Sequence, residues 1–227
     1  MYRGFALLPL CLLAGAAFAQ TTLPPAVPVP AATSAPAAAP PPTAPPAAPA
    51  PKPATVRVAL TTSEGPIVLE LEKERAPITT GNFLRYVDQH RLDGLNFYRA
   101  VKVAPGYGLL QGGTRNDPKR TLPPIKHEPT TLTHLSHLDG AISMARNAPG
   151  TAAGDFFIVI GDIPSMDADP TKAGDNLGFA VFGHVAEGMD LVRRILVADI
   201  SPTAGGTAMK GEILAKPVRI LSARRVN

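Results

Sequence analysis

Two groups of side chains in this sequence have types that suit a metal ion. His134 and His137 lie three apart, which on a helix would bring both imidazoles to one face, but Leu135-Ser136 between them and the lack of a third ligand favour a plain loop. Asp167, Asp169 and Asp175, set among Pro170 and two glycines, have the composition of a calcium loop. Their spacing departs from the EF-hand pattern and no bidentate glutamate follows, so a solvated surface insertion is expected, with neither metal nor cofactor. Three other residues stand out. Arg99 follows Phe97 and Tyr98, Gln111 precedes Gly112 and Gly113, and Phe157 stands in Phe156-Phe157-Ile158. On residue type alone each has a plain explanation: an arginine in a strand is ordinarily a solvated charge, a glutamine before two glycines can belong to a turn, and core burial is the default for two of the three residues in the apolar run.

The N-terminal quarter of the chain does not have the composition of a folded domain. Met1 to Ala19 carries one basic residue, Arg3, then an apolar run from Phe5 to Phe18 and the ending Ala17-Phe18-Ala19, the pattern of a secretory signal cleaved before Gln20. The run, with Pro9 inside it, is shorter than the ~20 residues a spanning helix requires. A lipid anchor on Cys11 is disfavoured by Leu10 before it, and because Cys11 is the only cysteine, the mature chain is expected to have neither thiol nor disulfide. Export to the periplasm or the medium follows, with no membrane span after cleavage. Residues 20–54 are almost entirely Pro, Ala, Thr and Val, so neither helix nor sheet ladder can persist, and an extended linker of up to about 100 Å is expected. One domain remains, over residues 55–227. Arg3 and Lys52 lie outside it, so of 22 Lys and Arg, 20 face 18 Asp and Glu. That weak balance points away from nucleic acid as a partner.

Within the domain, Val56–Leu60 and Ile67–Leu71 alternate in polarity around Thr61–Pro66, whose Gly65-Pro66 step marks a hairpin turn. Pro77, then Thr79 as N-cap, with Phe83, Leu84, Tyr86 and Val87 at helical spacing, predict a helix over Thr80–His90. A second helix is expected over about Glu187–Leu196, with Met189, Val192, Ile195 and Leu196 on one face and its charges arranged as the macrodipole favours. Short apolar segments surround these helices: Leu95–Val101, Leu109-Leu110, Ala141–Ala145, Phe156–Ile160, Phe179–Phe182 and Val218–Ser222. Many short strands, with two helices that do not alternate with them, argue for a mainly β fold, a closed antiparallel barrel whose ends the helices cap.

From Val56 almost to Asn227 the sequence resembles the cyclophilin family. Thr62-Ser63-Glu64-Gly65-Pro66-Ile67 is similar to its first hairpin, Ala76-Pro77 to Asn82-Phe83-Leu84 to its first helix, and Asp93-Gly94 with Phe97-Tyr98-Arg99 to its catalytic strand. Gln111-Gly112-Gly113, Gly140 to Arg146, Phe156-Phe157-Ile158, Phe179 to Gly183 and Glu187 to Asp190 follow in the family's order. The resemblance implies an eight-stranded barrel and peptidyl-prolyl cis/trans isomerase activity toward proline-containing segments of unfolded or exported proteins, by a monomer. It makes Arg99 the catalytic residue, holding the substrate carbonyl and reaching toward the prolyl nitrogen. Gln111 would position substrate and arginine, Ala145, Arg146 and Asn147 would pair with the substrate backbone, and Phe157 and Met166 would receive the proline ring.

The sequence also departs from the family pattern. Four extra residues, Val103-Ala104-Pro105-Gly106, separate Arg99 from Gln111, and the position of a pocket phenylalanine falls on Gly108, with Tyr107 adjacent to fill the gap. Asp155 stands where a glutamine is usual, and a carboxylate there could pair with Arg99 or Arg146, either orienting the arginine or competing with the substrate for it. Phe179 replaces a frequent histidine at the pocket. The chain has no tryptophan, which the resemblance ties to weak inhibition by cyclosporin. These changes leave an alternative: a domain of low activity that binds proline peptides or acts as a chaperone. An inert domain displayed on the linker is a third option, which would leave Arg99, Gln111 and Phe157 a coincidence.

Overall fold

The computed structural model describes residues 53–226; the expected signal peptide and the linker as far as Lys52 lie outside the described residues. In chain order the elements are β1 (Val56–Thr62), β2 (Gly65–Leu71), α1 (Pro77–Asp88), β3 (Asn96–Ala104), β4 (Tyr107–Gly113), a single turn α2 (Thr130–Thr133), β5 (Ala141–Met144), β6 (Asp155–Ile160), a 3-10 turn (Pro164–Met166), β7 (Ala180–Glu187), α3 (Met189–Leu196) and β8 (Ile213–Val226). The eight strands close into an antiparallel barrel in the order β1-β2-β7-β5-β6-β4-β3-β8, the fold expected from the sequence. No described helix is long and apolar enough to cross a membrane.

Closure follows from the period of two along each strand. In β1, Val58 and Leu60 are fully buried, and in β2 Ile67, Leu69 and Leu71, while the residues between them face outward. The barrel interior is filled with rings, Phe83 of α1 meeting Phe156 edge-on at 5.3 Å and Phe97 meeting Phe156 at 5.8 Å. α3 closes the end of the barrel at the β1–β2 turn, where Leu191 lies against Gly65, and α1 closes the other. β6 departs from simple alternation. Phe156, Ile158 and Ile160 point inward, while Phe157 and Val159 join a second apolar layer outside the barrel with Ala141 and Val181. A strand covered on both faces is an unbroken apolar run, as Phe156–Ile160 is.

The element ends differ from expectation where distant residues intervene. Helix α1 begins at Pro77, and Thr79 is not its N-cap. The buried carboxylate of Glu128 accepts hydrogen bonds from the N–H groups of Ile78 (3.1 Å) and Thr79 (2.6 Å) and from the Thr79 hydroxyl (2.6 Å), placing negative charge at the positive end of the helix. β1 and β2 extend into the expected turn and leave only Ser63-Glu64 between them. Glu187 belongs to β7, because Gly188 at φ 96° breaks the chain before α3. β8 runs well beyond Val218–Ser222 because β1 and β3 both pair with it. Its last residues are tied back to the barrel, Arg224 donating to Asp93 (2.9 and 2.8 Å) and Arg225 to Asp88 (2.8 and 2.6 Å).

Candidate active site

One row of cross-strand neighbours organises the outer face. Arg99 on β3 is in register with Gln111 on β4, Gln111 with Phe157 on β6, and Phe157 with Ser143 on β5. Strands lie about 4.8 Å apart, so the row sets a cation, an amide and a ring side by side along one line. The register of β3 against β4 shifts between Phe97 and Arg99. Such a bulge re-aims side chains, and here Tyr98 and Arg99, though consecutive, both face the same cavity while Phe97 and Ala100 are buried in the core. Gly112 permits the shift, since a Cβ there would lie 2.9 Å from the Phe97 ring. Gln111 therefore belongs to a strand, and the glycine beside it serves packing rather than a turn.

The cavity, of about 380 Å³, has an apolar floor of Leu109, Phe157, Met166 and Phe179. Phe157 and Phe179 meet edge-on at 5.5 Å. Along the rim the hydrogen bonds have only one possible direction. Arg99 can only donate, so its Nη1 faces Oε1 of Gln111 (2.8 Å); the amide Nε2 then donates to the Tyr98 hydroxyl (2.8 Å), which must donate in turn to Asp155 (3.1 Å). Burial, followed by the charge of Asp155, pushes the Tyr98 hydroxyl well above its ordinary pKa, so it remains a neutral donor. Asp155 also accepts from the Arg115 N–H (2.9 Å) and the Thr114 hydroxyl (3.3 Å). It pairs with neither Arg99 nor Arg146, against both pairings raised by the sequence: Tyr98, re-aimed by the bulge, stands between.

Arg146 has its own partners. Its Nη1 and Nη2 donate to Asp175 (2.6 and 2.9 Å), its Nε donates to the Gly178 carbonyl (3.0 Å), and its guanidinium lies 5.1 Å above the Phe179 ring. Hence the segment expected as a solvated insertion is tied down at Asp175, and at Asp167 as described below. Ala145 and Asn147 line the cavity beside Arg146; the Ala145 N–H donates to the Asp155 carbonyl (2.9 Å).

Tyr107 does not line the cavity. It faces outward on β4, two residues or about 7 Å along the strand beyond Leu109, and its half-exposed ring covers Gly161. Gly108 faces inward, where a Cβ would meet the Val101 carbonyl oxygen at 2.2 Å, so no pocket side chain could grow from it. Leu109 supplies that part of the floor instead. Val103 to Gly106 form the tip of the β3–β4 hairpin, away from the cavity.

Behind the floor lies a group of residues that motif reading did not assemble. His137, fully buried, donates from Nδ1 to Asp167 and accepts at Nε2 from the Ser143 hydroxyl (3.0 Å). The connectivity is that of a nucleophile relay, but Ser143 is 0% exposed and no substrate can reach it. Burial lowers the His137 pKa against the opposing pull of Asp167, so the ring is neutral near pH 7, and it stacks on Phe157 with centroids 6.0 Å apart. Its role is to hold up the floor. Both ring nitrogens are engaged, and among the described residues no three His, Cys, Asp or Glu side chains converge on a metal site.

Residues 57–225 match the family described as cyclophilin type peptidyl-prolyl cis-trans isomerase/CLD. The chain is 34% identical over 175 residues to a peptidyl-prolyl cis-trans isomerase of Acinetobacter baylyi, covering 75% of this chain and 86% of that one. It is 35% identical over 170 residues to the peptidyl-prolyl cis-trans isomerase cyp18 of Streptomyces antibioticus, covering 74% of this chain and 96% of the relative. Among solved structures, a cyclophilin type peptidyl-prolyl cis-trans isomerase of Cryptosporidium parvum superposes with a TM-score of 0.58 at 19% identity, over 77% of this chain and 99% of that one, a likeness of fold. The same protein in the presence of the dipeptide Ala-Pro gives 0.59, over 75% and 99%.

Proposed function

The chain belongs to the cyclophilin type peptidyl-prolyl cis-trans isomerase family, and from that premise we propose how it works and on what. It is a peptidyl-prolyl isomerase that binds proline-containing peptides. Rotation about an Xaa-Pro bond must break amide resonance, over a barrier of roughly 18–20 kcal/mol, so uncatalysed exchange takes tens to hundreds of seconds. No covalent bond is broken, and no nucleophile or metal is needed. What lowers the barrier is a surface that binds the twisted imide better than either planar form. In our reading the proline ring enters the cup of Leu109, Phe157, Met166 and Phe179. The N–H groups of Arg99 that Gln111 leaves free donate to the carbonyl oxygen, and to the prolyl nitrogen as it becomes pyramidal.

One observation carries this reading: the guanidinium stands at the edge of an apolar cup, in the same cross-strand row as the ring that forms its floor. The departures that favoured a binding-only domain lose their force, because Gly108 faces away from the cavity and Asp155 orients the rim through Tyr98. The neighbour crystallised in the presence of Ala-Pro supports a dipeptide of that type as the minimal ligand. The signal-like N-terminus supports exported, unfolded chains as clients, outside the cytoplasm, where slow proline isomers delay folding. The test is isomerisation of a short Xaa-Pro peptide by the form beginning at Gln20 and by its Arg99→Ala variant. A loss on the order of 10² to 10³ in kcat/KM is expected from removal of the donor. Equal rates for the two proteins would remove Arg99 from the chemistry and restore the binding-only reading.

A further inference from the structure

We propose that Glu212 is a positioning residue for Arg99, clamping one edge of its guanidinium so that the remaining donors face the cavity; this rests on the isomerase reading above. Glu212 lies 113 residues from Arg99 and belongs to none of the motifs that carry the family likeness. The β3–β8 ladder brings it there. Arg99 is in register with Ile213, and the Ala100 N–H donates to the Glu212 carbonyl at 2.8 Å, laying residue 212 alongside residue 99. The Arg99 Nε then donates to Oε2 of Glu212 at 2.8 Å, and Nη2 lies 2.6 Å from the same oxygen.

An arginine side chain is long, and unrestrained it would sample many rotamers above the cavity. Here two of the three edges of its planar group are occupied, Nε and Nη2 by Glu212 and Nη1 by Gln111, which fixes both the plane and its rotation. The N–H groups left over on Nη1 and Nη2 are aimed in advance of substrate, so little reorganisation is needed as the imide twists. The chain leading to Glu212 is itself restrained: the Ser201 N–H donates to the Ile213 carbonyl (2.7 Å), and Glu212 donates back to the Met209 carbonyl (3.2 Å). Met209 lines the same cavity, so this segment is one of its walls. Both charged side chains keep about a quarter of their surface exposed (26% and 29%), and solvent screens their attraction. Glu212 therefore acts through orientation more than through charge.

This predicts a pattern that a merely structural residue would not produce. Glu212→Ala lowers kcat about tenfold with KM within twofold, because the ground-state cup is untouched. Glu212→Gln, which keeps an acceptor oxygen in place, restores at least half of the wild-type kcat. In an Arg99→Ala background, assayed at raised enzyme concentration, Glu212→Ala causes no further loss, since nothing remains to be positioned. Full activity of Glu212→Ala, or an undiminished further loss without Arg99, would overturn the proposal. The 15N–1H signal of Arg99 Nε in the free protein gives a second readout: protected from exchange in wild type and unprotected in Glu212→Ala. A wild-type protein without turnover would count against the isomerase reading, while the Nε signal would still decide whether Glu212 holds the arginine.

Discussion

Phe156 and Phe157 are neighbours in β6, yet they belong to two different environments. Phe156 sits inside the barrel between Phe83 and Phe97, where every direction is closed by apolar side chains. Phe157 sits on the outer face, stacked on His137 and edge-on to Phe179, with its remaining side turned to a cavity. In the interior, close packing alone determines the geometry. Outside, a single apolar layer cannot close on itself, so polar groups with directional bonds complete it: the Glu212–Arg99–Gln111–Tyr98–Asp155 chain on one side, and the Ser143–His137–Asp167 group beneath. The inner region makes the barrel. The outer region is left unfinished at the cup which, on the proposed reading, receives the proline ring.

Substitutions on either side sharpen this contrast. The largest effect is expected inside: Phe156→Ala should cost about 3–5 kcal/mol in urea unfolding, because three rings interlock there, while the protein that remains folded isomerises peptide at a near-normal rate. A large activity loss in the folded fraction would mean the two regions are not separable. Phe157→Ala should cost less stability, about 1–2 kcal/mol, since the space it leaves opens to solvent rather than forming a sealed void, and should raise KM several-fold through loss of the cup's floor. An unfolding cost equal to that of Phe156→Ala would place Phe157 in the core proper.

The smallest effect concerns pH. Burial depresses the folded-state pKa of His137, so below the ordinary histidine value of about 6.5 the unfolded chain binds a proton that the native chain refuses. Its contribution to stability is complete above that value and is lost as pH falls toward the depressed one. Between pH 7.5 and 5.5 the loss is at most about 1.4 kcal/mol, and His137→Gln should flatten that part of the urea-midpoint profile. An unchanged slope in the variant would assign the pH dependence to other groups.

Much of this is legible in the residues themselves. Alternation in β1 and β2 and the helical spacing of Phe83, Leu84, Tyr86 and Val87 depend only on which neighbours in the chain are apolar, so the elements could be anticipated along with the barrel. Arg99, Gln111 and Phe157 stand out through local motifs, and they meet at one cavity. Tyr107 and Gly108 show the limit. A motif gives positions in order but not the face each presents, and in this strand Gly108 turns inward, which leaves Leu109 as the floor.

By itself the sequence determined the strand and helix periodicities, the family likeness and the identity of the arginine, because each of these is written in residues close together in the chain. Only the tertiary structure decided what surrounds that arginine. The bulge that turns Tyr98 outward, the arrival of Glu212 from 113 residues away and the capping of α1 by Glu128 all depend on strand register and chain return. The physical reason is that a hydrogen bond is set by position and angle in space, and barrel closure assigns both without regard to distance along the chain.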